Sequence, residues 1–146
     1  MSSSSGWMLW AGLSALFAAL TAVFAKVGVQ NVDSDLATAV RTLIVALLLV
    51  PFVILAGKWS NPLALPGRTL VFLLLSALAT GASWLCYFRA LQLGNASQVA
   101  PVDKFSVVLV AVIAFLFLGE RPTGREWAGI GLITAGLLLL VLKRPG

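Results

Sequence analysis

The chain has 146 residues, of which 60% are hydrophobic and 10% charged, with a formal net charge of +5 and a mean hydropathy of +1.03. Soluble domains carry about 25% charged residues, so this composition excludes most soluble folds, and its hydrophobicity excludes intrinsic disorder. There is no histidine and one cysteine, Cys86. That removes histidine metal sites, Ser–His–Asp triads and an intrachain disulfide. No cofactor and no catalytic residue is expected, and the chain does not read as an enzyme. The basic residues are scattered singly between apolar runs, which points to loops beside a bilayer and away from nucleic acid.

What remains is an all-α membrane protein. A spanning helix needs about 20 mainly apolar residues, and five stretches meet that length: Trp7–Gly28, Asp35–Ala56, Thr69–Leu93, Ser97–Leu118 and Gly124–Leu142. Residues 1–6 are expected to be a flexible leader, and 7–143 a single five-helix domain. Met1–Gly6 carries no Lys or Arg, which argues against a cleaved signal peptide.

The first span carries Ala11, Ala15, Ala18, Ala22 and Ala25 at helical spacing, with Ser14 and Thr21 close by, and ends at Lys26. A polar linker, Gln30–Asp35, offers Ser34 or Asp35 as a cap for the second span, which contains Thr38, Arg41 and Thr42. Gly57–Gly67 is rich in breakers. The third span places Ser76, Thr80, Ser83 and Tyr87 on one face, with Trp84 beside them and Arg89 near its end. After the turn Gly94–Ser97, where Asn95 or Ser97 can cap, the fourth span carries Pro101, Asp103, Lys104 and Ser106. Thr123-Gly124-Arg125-Glu126 is a capping box. The fifth span has one conventional polar side chain between Trp127 and Leu142, Thr134, and a ridge of Gly124, Ala128, Gly131 and Ala135. Such small-residue ridges suit close helix contact, and this one is expected at a dimer interface. Trp7, Trp10, Trp59 and Trp127 fall at span ends, where an aromatic belt is expected.

Polar groups in hydrocarbon must face partners or water, so spans one to four are expected to enclose a polar site, although for Ser14, Thr21, Ser76 and Thr80 close helix packing alone is the favoured reading. Alternating helix direction brings Lys26, Arg41, Arg89, Asp103 and Lys104 towards one side of the membrane. Asp103 with Arg41 or Arg89 is a plausible ion pair, while Lys26 and Arg89, near span ends, can instead snorkel to the interface. The expected substrate-binding set is Arg41, Ser83, Trp84, Tyr87, Arg89, Asp103, Lys104 and Ser106, with Trp84 and Tyr87 placed to stack on a solute. The excess of cations over Asp103 favours a solute with an anionic group.

Five spans leave the termini on opposite sides. Lys58, Arg68, Arg121 and Arg125 fall on one side and Lys26, Arg89, Lys143 and Arg144 on the other. The positive-inside rule therefore gives almost no orientation. A protein that inserts both ways shows this balance, and so does one whose charges are functional.

The stretch Tyr87-Phe88-Arg89-Ala90-Leu91-Gln92-Leu93-Gly94-Asn95-Ala96-Ser97, followed by Val99-Ala100-Pro101, resembles the EamA repeat of the drug/metabolite transporter superfamily. So do Leu118-Gly119-Glu120-Arg121-Pro122-Thr123 ahead of Trp127, and the entry from Trp10 through Phe24-Ala25-Lys26-Val27-Gly28. The likeness covers about residues 7–143. It implies a fold of one five-helix repeat, where most relatives carry two in inverted orientation, and alternating-access transport of small metabolites. A single repeat implies pairing, most simply as an antiparallel homodimer in the bacterial inner membrane. The partners are then the bilayer, a small-molecule substrate and a second copy. Two other readings stay open: a proton-coupled exporter of cationic drugs similar to the small multidrug resistance family, although the first span carries no acid, and a non-transporting partner or scaffold subunit.

Overall fold

A computed structural model describes residues 3–142, with side chains from Gly6 onward. Met1 and Ser2 of the expected leader, and the basic pair Lys143 and Arg144, lie outside the described residues. Helix α1 covers Ser3–Gly28, α2 Ser34–Leu55, α3 Gly67–Leu93, α4 Ala96–Asp103, α5 Ser106–Ile113 and α6 Gly124–Val141. A 3-10 turn, Pro62–Ala64, lies within the breaker-rich loop, and a π-helical turn, Ala114–Leu118, continues α5. Five helical stretches are long and apolar enough to span a membrane: Gly6–Gly28, Ser34–Leu55, Gly67–Leu93, Ala96–Leu118 and Gly124–Val141.

The chain forms two compact units, divided between Leu93 and Gly94. In the first, α3 packs against both α1 and α2. The tightest packing lies where the C-terminal halves of α1 and α3 meet the start of α2. Val29, Ser34, Phe88 and Leu91 are buried there, together with Ala22, Ala25 and Thr38. The alanine stripe of the first span is therefore used only in its second half, because Ala11, Ala15 and Ala18 are exposed. In the second unit, α6 packs against α4 and α5, with Leu137 and Ala114 buried and Phe115 edge-on to Trp127 at 6.0 Å.

Helix ends follow local chemistry. Asp33 caps α2, its carboxylate accepting from the amides of Asp35 and Leu36 at 3.0 Å each. The cap thus lies one residue ahead of the expected Ser34 or Asp35; Ser34 is buried inside the helix. Asn95 holds the cap position of α4 without a side-chain bond. At α6 the capping box forms as expected: Thr123 Oγ1 accepts from the Glu126 amide, and the Glu126 carboxylate accepts from the Thr123 amide.

The fourth span is not one continuous α-helix. Pro101 has no amide proton to donate and its ring crowds the preceding turn. Just beyond it the backbone tightens. The Lys104 amide donates to Pro101 (3.0 Å) as well as Ala100 (3.3 Å), Phe105 donates to Val102 and Val107 to Lys104. These three-residue bonds make a 3-10 junction between α4 and α5. The span ends at Gly119, whose φ of +67° is left-handed. From there the Glu120 amide reaches back to the Ala114 carbonyl at 3.2 Å, satisfying an end-of-helix acceptor.

Four threonine hydroxyls within the spans do not need a wet face. Thr38 Oγ1 donates to the Ser34 carbonyl, Thr42 to Thr38, Thr80 to Ser76 and Thr134 to Ile130, each at 2.8 Å. The donor of each hydroxyl is satisfied by its own helix, four residues back.

Candidate substrate-binding site

A groove of about 540 Å³ runs between α1 and α2. Thr21, Phe24, Ala25 and Gly28 of α1 line one wall, and Leu36, Ala37, Val40, Arg41, Ile44 and Val45 of α2 the other. Val32 closes it at the linker, and Phe88 of α3 contributes to its floor. Apart from Thr21 and Arg41 the lining side chains are apolar, and Arg41 is its one charge.

Arg41 is half-buried. Its guanidinium carbon lies 4.3 Å from the Trp84 ring centre and 5.6 Å from that of Phe88. Trp84 and Phe88 are four residues apart on α3, so their rings share a helix face. Among the described residues Arg41 has no ion pair and no hydrogen bond; these two rings are its partners. The structure thus joins Arg41 and Trp84 of the expected set and adds Phe88. Trp84 offers its ring to Arg41 and does not line the groove. Ser83 is exposed, and Tyr87 half-buried, one residue round from that face.

Lys26 and Arg89 belong to a different arrangement. The Lys26 Nζ donates to the Leu91 carbonyl at 2.6 Å, an acceptor in the last turn of α3. Gln92 Nε2 donates to the carbonyls of Val29 and Val32, and Arg89 donates to Gln92 Oε1 at 3.4 Å. Together these side chains clasp the end of α3 to the α1–α2 linker. Nothing in the composition of the linker marks Gln92 as its partner, since the contact joins residues about sixty positions apart.

Asp103, Lys104 and Ser106 lie in the second unit, around the 3-10 junction. Asp103 Oδ2 and Lys104 Nζ form an ion pair of 3.2 Å, and Ser106 is exposed at the start of α5. Among the described residues there is no cluster of groups able to hold a metal ion.

One family pattern spans nearly all of these elements, from residue 5 to residue 142. The chain belongs to the EamA-like transporter family. It is a multi-pass membrane protein, and its relatives are transporters. The "uncharacterized transporter in cobO 3′ region" of a Sinorhizobium species is 55% identical over 139 residues, covering 95% of this chain and 99% of that protein. The "uncharacterized transporter YxxF" of Bacillus subtilis is 26% identical over 139 residues, but the match covers only 43% of that protein. A third relative, from Yersinia pestis, is a "probable 4-amino-4-deoxy-L-arabinose-phosphoundecaprenol flippase subunit ArnE". It is 36% identical over 86 residues, 58% of this chain and 75% of that protein. No solved structure matches this EamA-like chain.

Proposed function

We propose that this EamA-like chain is half of a transporter for small organic solutes that combine an anionic group with an apolar body. Two copies, inserted in opposite orientations in a bacterial cytoplasmic membrane, work by alternating access. The observation that carries this reading is the α1–α2 groove: an apolar lining with one cation, Arg41, that has no acidic partner among the described residues. A charge left unpaired within a span is expensive, and a solute anion relieves that cost. The apolar walls take the rest of the solute. The solute leaves unchanged, so no residue has to act as acid, base or nucleophile. Release follows when the alternate state exposes the groove to water, where screening weakens the Arg41–anion attraction.

Three further facts support the reading. The Yersinia relative is named for a lipid-linked amino-sugar phosphate, which joins a phosphate anion to a long apolar chain and also carries an amine. The Bacillus relative has room for a second unit beyond its matched part, as expected where one longer chain does the work of two short ones. Lys58, Arg68, Arg121 and Arg125 balance the basic residues of the opposite side, as insertion both ways requires. A pair of inverted units places a solute near the midplane between them.

Uptake by proteoliposomes tests this. Octyl phosphate is expected to accumulate and octyltrimethylammonium is not, and Arg41→Ala is expected to lower the octyl phosphate flux at least about tenfold. Equal uptake of the two octyl compounds, or an undiminished Arg41→Ala flux, sinks the proposal.

A second reading has its own support. The Yersinia relative is named a subunit, so the partner can be a different five-helix chain. A purified chain that stays monomeric in mild detergent favours that heteromer; a dimer of one species favours the pair of copies.

A further inference from the structure

Arg41 is held in an unusual way for a charge inside a membrane span. Its partners are rings, Trp84 at 4.3 Å and Phe88 at 5.6 Å, and no carboxylate or carbonyl among the described residues accepts from it. A guanidinium attracted to an aromatic face keeps its in-plane N–H edge available. Phe88 is buried at 3% exposure, so its ring is held in place, and Trp84 is half-buried. Arg41 and Phe88 line the groove while Trp84 does not, so Phe88 flanks the guanidinium at the groove wall and Trp84 supports it from behind.

We infer that Trp84 and Phe88 are positioning residues that hold Arg41 by its π face and present its N–H edge to the groove, selecting an anion with two oxygens in a fork, a carboxylate or a phosphate. This inference rests on the transport reading above and adds to it a geometric requirement. A bare positive charge at position 41 is not enough, because an ammonium lacks both the plane that stacks and the fork that pairs two oxygens. Lysine therefore fails to replace arginine.

The test uses the full chain in phosphatidylcholine nanodiscs. In a background where Trp7, Trp10, Trp59 and Trp127 are changed to Phe, Trp84 is the remaining indole. Titration with octyl phosphate is expected to change Trp84 emission saturably, and octyltrimethylammonium is expected to leave it unchanged. Inorganic phosphate gives the same change at higher concentration if the anion alone is read. Nanodiscs containing phosphatidylglycerol weaken the octyl phosphate response if a lipid headgroup is the source of the phosphate.

Calorimetry with octyl phosphate then separates the roles in the otherwise unaltered chain. Arg41→Lys is expected to bind at least about tenfold more weakly although charge is kept. Trp84→Leu is expected to lose about tenfold, while Trp84→Phe, which keeps a ring face, stays within about threefold of the wild type. If Arg41→Ala abolishes binding but Trp84→Leu or Arg41→Lys binds like wild type, the aromatic platform is wrong and the anion site stands. If the wild-type chain binds neither octyl phosphate nor inorganic phosphate, platform and transport reading fall together.

Discussion

Lys26 and Arg41 are both cations in apolar helices, and the structure uses them in opposite ways. Lys26, at the end of α1, donates to the Leu91 carbonyl, an acceptor left over at the close of α3. Leu91 is fully buried, so removing the donor strands a polar group away from water. Lys26→Met is expected to destabilise the first unit by about 1–3 kcal/mol, read as a lower melting temperature in detergent, with solute specificity unchanged. A melting temperature equal to the wild type would mean the bond carries no load. The sequence marks Arg41 as special because an arginine two turns into a span has no cheap way to reach water. It does not separate capping from snorkelling for Lys26, because the choice depends on where a helix about sixty-five residues away happens to end. Phe88 is invisible for a simpler reason: within an apolar helix, a phenylalanine beneath a guanidinium reads the same as one facing lipid.

At the scale of elements, the ends of the helices were more legible than their interiors. The capping box at Thr123 and Glu126 forms in both directions, and Thr123→Ala is expected to cost about 1 kcal/mol. The stop at Gly119 also has a local cause, a left-handed residue at φ +67°. A side chain there is strained by roughly 1–2 kcal/mol. Gly119→Ala should therefore lower the melting temperature even though the position of a Cβ is open, with nothing within 4 Å. If Gly119→Ala melts like the wild type, the turn does not depend on left-handed backbone. The junction between α4 and α5 was hidden. Hydropathy runs unbroken through Ala96–Leu118, and proline is tolerated inside membrane helices, so Pro101 alone does not announce a change of helix type. The hydroxyl-bearing faces are explained locally: Thr38, Thr42, Thr80 and Thr134 bond their own helices, and a polar stripe in sequence need not be a wet surface.

For the whole molecule, the less exposed face of α6 is Gly129, Ile130, Thr134 and Leu137, whereas Gly124, Ala128, Gly131 and Ala135 are exposed. Their exposure leaves the small-residue ridge open to a contact between copies, as the proposed pairing requires. Gly131→Ile is expected to shift a purified dimer towards monomer on size exclusion while leaving helicity intact; an unchanged elution volume would place the contact elsewhere. In the proposed transporter Arg41 serves a solute site shared by two copies. Co-reconstitution of wild-type and Arg41→Ala chains in varied ratio measures this directly. A shared site predicts that octyl phosphate flux falls below a straight line as the wild-type fraction drops, because mixed pairs are impaired. Flux strictly proportional to the wild-type fraction would contradict it, showing that each chain carries solute alone.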